Sequence, residues 1–193
     1  MSEASFDDRA GSVAQQARSF LARAKEAAGD FVERVKELTE EVMWINHLTL
    51  LPARTGLMVT HDAVGTGLSG LVVSPRTAGP LVTGDGYVLE TGLTVPPGFF
   101  LRGIRIGLEA SSSECCLSLI RLSQVNDPPD SAILLCEDDR QHRAVGPVAI
   151  EAESTPVDPR LGPVLATLGF TFDDPGGWVV IRALGMRLSR SPA

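Results

Sequence analysis

Between residues 12 and 45 apolar side chains recur every three or four positions with no proline, and from residue 48 onward they fall in short alternating runs cut by Gly, Pro and Asp turns. Recurrence at three and four marks one face of a helix, whereas alternation marks a half-buried strand. The expected architecture is therefore mainly β: an antiparallel β-sandwich or jelly roll preceded by a long amphipathic, coiled-coil-like helix. Residues 1–47 form the expected arm and residues 48–193 the sandwich.

The arm opens on Ser12-Val13-Ala14-Gln15, which reads as a capping box. Its apolar seam is Val13, Ala17, Phe20, Ala24, Ala27, Phe31, Val35, Leu38, Val42 and Ile45. The steps alternate between four and three as in a coiled coil, with a stutter from Phe31 to Val35 that relaxes the supercoil. Gly29, followed by Asp30 and Glu33, offers a competing bend between two shorter helices. A single helix cannot bury its own stripe, so the seam needs a partner. Self-association into a parallel bundle, a homotrimer above other stoichiometries, is the expectation, within an assembly that includes other subunits. Packing on the chain's own sandwich, or docking on a different protein, are the alternatives.

In the second part the expected strands are residues 57–60, 71–74, 87–90, 100–108, 117–122, 133–136, 145–152, 164–172 and 179–188. Turn signals separate them, among them Gly84-Asp85-Gly86, Asn126-Asp127-Pro128-Pro129-Asp130 and Asp173-Asp174-Pro175-Gly176-Gly177. Within residues 100–108, Phe100, Ile104, Ile106 and Leu108 share one expected face. Leu101, Gly103, Arg105, Gly107 and Glu109 share the other. About eight to ten short strands at this spacing indicate a sandwich or jelly roll.

Val95-Pro96-Pro97-Gly98, Leu101-Arg102-Gly103-Ile104-Arg105-Ile106, Ser111-Ser112-Ser113 and Leu117-Ser118-Leu119-Ile120-Arg121-Leu122 follow one another, and the chain closes on Leu184-Gly185-Met186-Arg187-Leu188. This series resembles a recurring pattern of bacterial and phage surface β-sandwiches, including fibre and appendage proteins. The resemblance covers roughly the second half of the chain. It implies a jelly-roll-like sandwich and a structural or attachment role.

The net charge of −7 argues against a nucleic-acid backbone as partner, because phosphate binding needs a basic face. No apolar run approaches the ~20 residues that span a bilayer. Three cysteines, two of them adjacent, make no disulfide framework and are expected as free thiols. With an acidic, polar start to the sequence that lacks signal-peptide character, this points to folding in the cytoplasm, with a virion or exported particle as a later destination.

Chemistry is sparse. Cys136, Asp138, Asp139 and His142 are the densest group of ligand-type side chains and the candidate ligand or metal site. Residues 65–70 match a dinucleotide fingerprint by letter, but a strand rather than a helix follows, so a loop is expected there. His61-Asp62 would need a bend to act as a dyad. No nucleophile elbow is present. No cofactor and no catalytic residues are expected. Trp178 is expected in the core, and Trp44 at the junction of arm and sandwich. The function expected is a non-enzymatic structural or attachment subunit of a fibre, spike or particle, self-associating through its helix. A ligand- or glycan-binding module, and a scaffold docking its helix on another protein, are the alternatives.

Overall fold

The computed structural model describes residue 25 and residues 40–53, 56–62, 70–76, 87–125, 131–143, 145–173 and 175–190. The chain divides into two compact units, Met1–Glu40 and Glu41–Ala193. In the first, Lys25 has helical backbone, and the seam positions Val13, Ala17, Phe20, Ala24, Ala27, Phe31, Val35 and Leu38 lie outside the described residues.

From Glu40 onward the described strands are β1 (Glu40–Ile45), β2 (Leu51–Pro52), β3 (Leu57–Asp62), β4 (Gly70–Pro75), β5 (Val88–Leu93), β6 (Phe100–Ala110), β7 (Cys115–Val125), β8 (Ala132–Asp138), β9 (Val148–Val157), β10 (Val164–Phe172) and β11 (Val179–Ser189). Pairing is nested: β4 with β11, β5 with β10, β6 with β9, and β7 with β8. The chain from β4 to β11 is thus one long hairpin folded double. Pairing of β11 with β6 and of β10 with β7 wraps it into two sheets. The first sheet runs β3-β4-β11-β6-β9, and the second β2-β5-β10-β7-β8. This is the strand order of a jelly roll, antiparallel at every register given above.

The expected helix does not continue to Ile45. Glu40–Ile45 is a strand paired with β11, and a 3-10 turn follows at His47–Thr49. The physical reason lies in β11. Along one edge β6 holds β11 from Val179 to Ser189, whereas β4 covers only Val179–Ile181 of the other. The remaining edge would leave backbone donors and acceptors unpaired, and β1 satisfies them. Its Val, Trp and Ile residues suit a pleated, half-buried surface. Seam residues Val42 and Ile45 therefore sit on opposite faces of a strand: Val42 is exposed, while Met43 and Ile45 pack against the core.

The core lies between the sheets. Leu101, Ile104, Ile106 and Leu108 of β6 meet Leu89, Leu122, Leu168 and Phe170 of the second sheet, all fully buried. Burying each such side chain is worth about 1.5–3 kcal/mol before entropy. Tyr87 meets Phe172 edge-on at 5.4 Å.

Leu101, assigned from sequence to the outer face, is buried, and Phe100 is only partly so. A register shift between Leu101 and Gly103 against β9, with Gly103 at φ +147°, carries the strand across faces at that point. Pro156 sits within β9, which is tolerable because β9 is an edge strand.

Candidate functional site

The β8 cluster was the sequence's candidate, and the β7–β8 register decides its geometry. A shift between Leu122 and Ser123 sets Cys136 opposite Leu122, Glu137 opposite Arg121, and Asp138 opposite Ile120. Alternation then sends Cys136 and Asp138 toward the interior and Glu137 outward, where it pairs with Arg121 at 2.7 Å. Asp138 is 8% exposed. Its carboxylate accepts from the Arg140 backbone N–H at 3.1 Å, from Nε at 2.8 Å and from Nη2 at 2.7 Å. His142 Nε2 lies 3.2 Å away. The bonds from Arg140, then the His142 and Arg140 charges, hold the Asp138 carboxyl far below the usual carboxylate range, against the opposing effect of burial. The same bonds raise the Arg140 guanidinium. His142 in turn donates its backbone N–H to Leu117 O at 2.9 Å, stitching the loop after β8 onto β7.

Asp138 and His142 are brought together, then, but Arg140 is wrapped around the carboxylate. Among the described residues, no three His, Cys, Asp or Glu side chains are placed to hold a metal. Cys136 and Asp139 line the adjoining cleft, about 580 Å3 between the free edges of β8 and β9, together with Glu137, Asp138, Arg140, Glu151, Ala152 and Glu153. Most of its charges already have partners: Glu137 with Arg121, Asp138 with Arg140, Glu151 with Arg105 and Arg187, and Glu153 with Arg187. Among the described residues no aromatic side chain lines it. The cluster closes the β8 end of the sandwich and offers little unsatisfied chemistry to a ligand.

A different surface does. On β11, Leu184 and Met186 face the core, so Gly185 and Arg187 face outward. Trp44 and Val42 of β1 lie over Gly185, and Trp44 remains 57% exposed. Its Cε3 and Cζ3 carbons come nearest the glycine, and more than half of the residue stays open to solvent. Registers extend this position across the sheet: Gly185 stands opposite Arg105, and Arg105 opposite Glu151, with the guanidinium 3.5 Å from the carboxylate. The next outward row is Arg187, Gly103 and Glu153, closed by an Arg187–Glu153 pair at 2.9 Å. On the other side lies the row Ala183, Gly107 and Ala149, and beyond it Arg182 is ion-paired with Glu109. Arg105, Arg182 and Arg187 balance Glu109, Glu151 and Glu153, so these rows are formally neutral on a chain of net charge −7. The face presents an exposed indole beside planar donors and acceptors fixed on strands.

Sequence reasoning missed Trp44 as a surface group because residues 40–45 were read in helical phase. The signal was the alternation of Val42 and Trp44 against Met43 and Ile45. Trp178 is partly buried, with its backbone N–H donated to Ser111 Oγ at 2.9 Å. Residues 63–69 of the glycine-rich loop lie outside the described residues, and Gly70 begins β4. The side chains of His61 and Asp62 likewise lie outside what is described.

No family model matches the chain, and no curated protein does. Solved structures to which it is similar include the CBM36-1 domain of a multidomain xylanase from the hindgut metagenome of Trinervitermes trinervoides, at 9% identity and TM-score 0.42, covering 76% of this chain and 95% of that one. A carbohydrate-binding module CBM36 in complex with calcium and xylotriose gives 7% identity, TM-score 0.42 and coverage of 76% and 98%. A family 29 carbohydrate binding module gives 10%, 0.39, 77% and 88%. Likeness this remote carries no function across. The β-sandwich expected from the sequence is present in the chain's own strand pairing.

Proposed function

We propose that the protein is a non-catalytic saccharide-binding module whose ligand rests on the outer face of the first sheet. The observation that carries this reading is Trp44, exposed over Gly185 beside the Arg105–Glu151 row. An amphipathic indole suits a partner with one apolar and one wet side. The ring C–H face of a pyranose is such a partner, and its hydroxyls need planar donors and acceptors alongside. Arg guanidinium and Glu carboxylate groups supply both in fixed geometry. Preorganisation on strands limits the entropy lost on binding. The test is an array of neutral and acidic glycans probed with the wild type and Trp44→Ala. The reading expects binding to one class of neutral glycan, lost in the variant with an unchanged melting temperature. Absence of any glycan bound, or binding indifferent to Trp44, overturns it.

A second reading is a self-associating subunit of a larger assembly, of the fibre or appendage kind the sequence pattern suggested. It is favoured by the exposed apolar side chains of Leu48 and Leu51, which follow Val42 and Trp44 in the sequence. Exposed apolar groups of this kind mark contact surfaces when they are contiguous. Native mass by light scattering separates the readings: an oligomer that Phe20→Asp reduces to a monomer supports assembly, and a monomeric wild type removes it.

A further inference from the structure

We infer that the ligand is an extended, uncharged oligosaccharide lying across the strands from Trp44 to the β9 edge, bound along its length and not as a single sugar. This deepens the saccharide reading and rests on it.

Three features of the face converge on the inference. The first is direction. Trp44 of β1, over Gly185 at the head of the Arg105–Glu151 row, flanks one end of the track, and β11, β6 and β9 follow in order to the free edge of the sheet. Three strand spacings of ~4.8 Å give a track of about 14 Å, which is about three pyranose units end to end. At β9 the sheet ends, so a longer chain can continue into solvent.

The second feature is the pair of charged rows that border the track. Arg105 and Glu151 form one, and Arg182 with Glu109 the other. Outward positions on β6 run Glu109, Gly107, Arg105, so the two rows stand four residues apart, about 13 Å along the strand. Between them the outward side chains are Ala183, Gly107 and Ala149, too short to obstruct a ring seated between polar walls. A binder of one sugar needs groups converging from around a hollow. Here the polar groups run in parallel lines, which serves a repeating ligand.

The third feature is charge. Arg105, Arg182 and Arg187 each already have a glutamate, so these rows offer no unpaired cation to an anionic chain. A uronate would have to displace one of those carboxylates and would meet its repulsion.

The experiment is isothermal titration of the full chain with glucose, cellotriose, cellohexaose, xylohexaose, mannohexaose and hexagalacturonate, repeated with Trp44→Ala and Gly107→Val. A side-chain carbon at Gly107 would stand 3.4 Å from the Ala183 Cβ, at the edge of ordinary contact. The valine therefore fits the strand and fills the track, and Gly107→Ala serves as the milder variant if its melting temperature falls. At least one neutral hexaose is expected to bind. In that glycan series affinity should rise tenfold or more between one unit and three and then level off, and hexagalacturonate should bind at least tenfold more weakly. Both variants at Gly107 should weaken the hexaose, valine more than alanine. Single-sugar binding equal to the hexaose, with Trp44→Ala abolishing both, would leave the saccharide reading standing and overturn the extended track. Hexaose binding untouched by either Gly107 variant would overturn it too. No binding by any sugar would remove the saccharide reading itself.

Discussion

Trp44 lies across Gly185 so closely that a methyl group on that glycine would stand 2.9 Å from the indole Cε3, and 2.8 Å from a Val42 methyl. The absence of a side chain at residue 185 is what lets the indole come this close to the sheet. Gly185→Ala should therefore lift Trp44 without touching any polar group of the face. Overpacking of this kind costs about 1–3 kcal/mol. We expect a modest drop in the urea midpoint and a shift in tryptophan emission that Trp44→Phe removes. Glycan affinity should fall toward that of Trp44→Ala. An alanine variant with wild-type emission would show that the ring is not seated on residue 185.

Asp138 predicts how stability follows pH. Its folded carboxyl titrates far below its unfolded value of ~3.9 because Arg140 and His142 favour the ionised form. A depressed carboxyl contributes stability above the unfolded value and loses it as pH falls toward the folded one. The contribution is thus complete at neutral pH and fades below about pH 4. Asp138→Asn keeps the shape but removes the charge. Its stability deficit should be about 1–3 kcal/mol near neutrality. The deficit should narrow steadily in denaturant melts taken at successively lower pH. A deficit constant down to pH ~2 would mean that the ion pair adds nothing beyond packing.

The sandwich was legible in the sequence because turn chemistry and alternation agreed along most of it. Val164–Phe172 is the strand expected, and Val179–Ser189 extends the expectation by one residue. Two departures have physical causes. Residues 40–45 satisfy a three-four period and a two-period at once. Only the edge of β11 left open by the short β4, a tertiary fact, chooses between them. In β6, alternation fails at Gly103, where a single positive-φ residue passes Leu101 to the core. The site was harder to read. Cys136, Asp138, Asp139 and His142 attracted notice as ligand types, yet Arg140 between them in sequence is the group that engages the carboxylate. Arg105, Arg187, Glu151 and Glu153 belong to three strands far apart in the chain, and only the registers put them side by side.

The three thiols are free, and two of them, Cys115 and Cys116, are fully buried. Burial pushes the Cys116 thiol up. Burial, with the nearby Asp138 and Glu137 carboxylates, does the same to half-buried Cys136. The thiolate is the reactive form, so Cys116 and Cys136 should be sluggish in the folded protein at neutral pH, and burial shields Cys115 from reagents. A maleimide or disulfide-exchange reagent should label Cys136 first. Cys115 and Cys116 should label slower than in urea by on the order of 100-fold or more, in step with local opening. Rapid labelling of Cys116 in native buffer would contradict its place beneath the second sheet's outer surface.

Gly103 and Gly107 face outward from the same strand and should answer the same substitution in opposite ways. At Gly103 the backbone has φ +147°, and an added carbon would stand 2.1 Å from the Ala152 carbonyl oxygen and 3.0 Å from the Glu153 Cα. Both obstacles are backbone of β9, so nothing flexible can yield. Gly103→Ala must break the β6–β9 ladder there or straighten the register shift that sends Leu101 inward. Backbone strain and the clash together put the cost at about 3 kcal/mol or more. Gly107 lies in ordinary strand geometry with its nearest neighbour at 3.4 Å. There alanine removes unfolded-state freedom and should leave stability unchanged or raise it by about 0.4–1 kcal/mol. Paired urea melts decide the matter. Because β9 carries Glu151 and Glu153, only the Gly103 variant should also loosen the arginines of the face, read as faster amide exchange in β9 and at Arg105 and Arg187. Equal responses from the two variants would mean that the shift at residue 103 does not govern how β6 meets the edge strand.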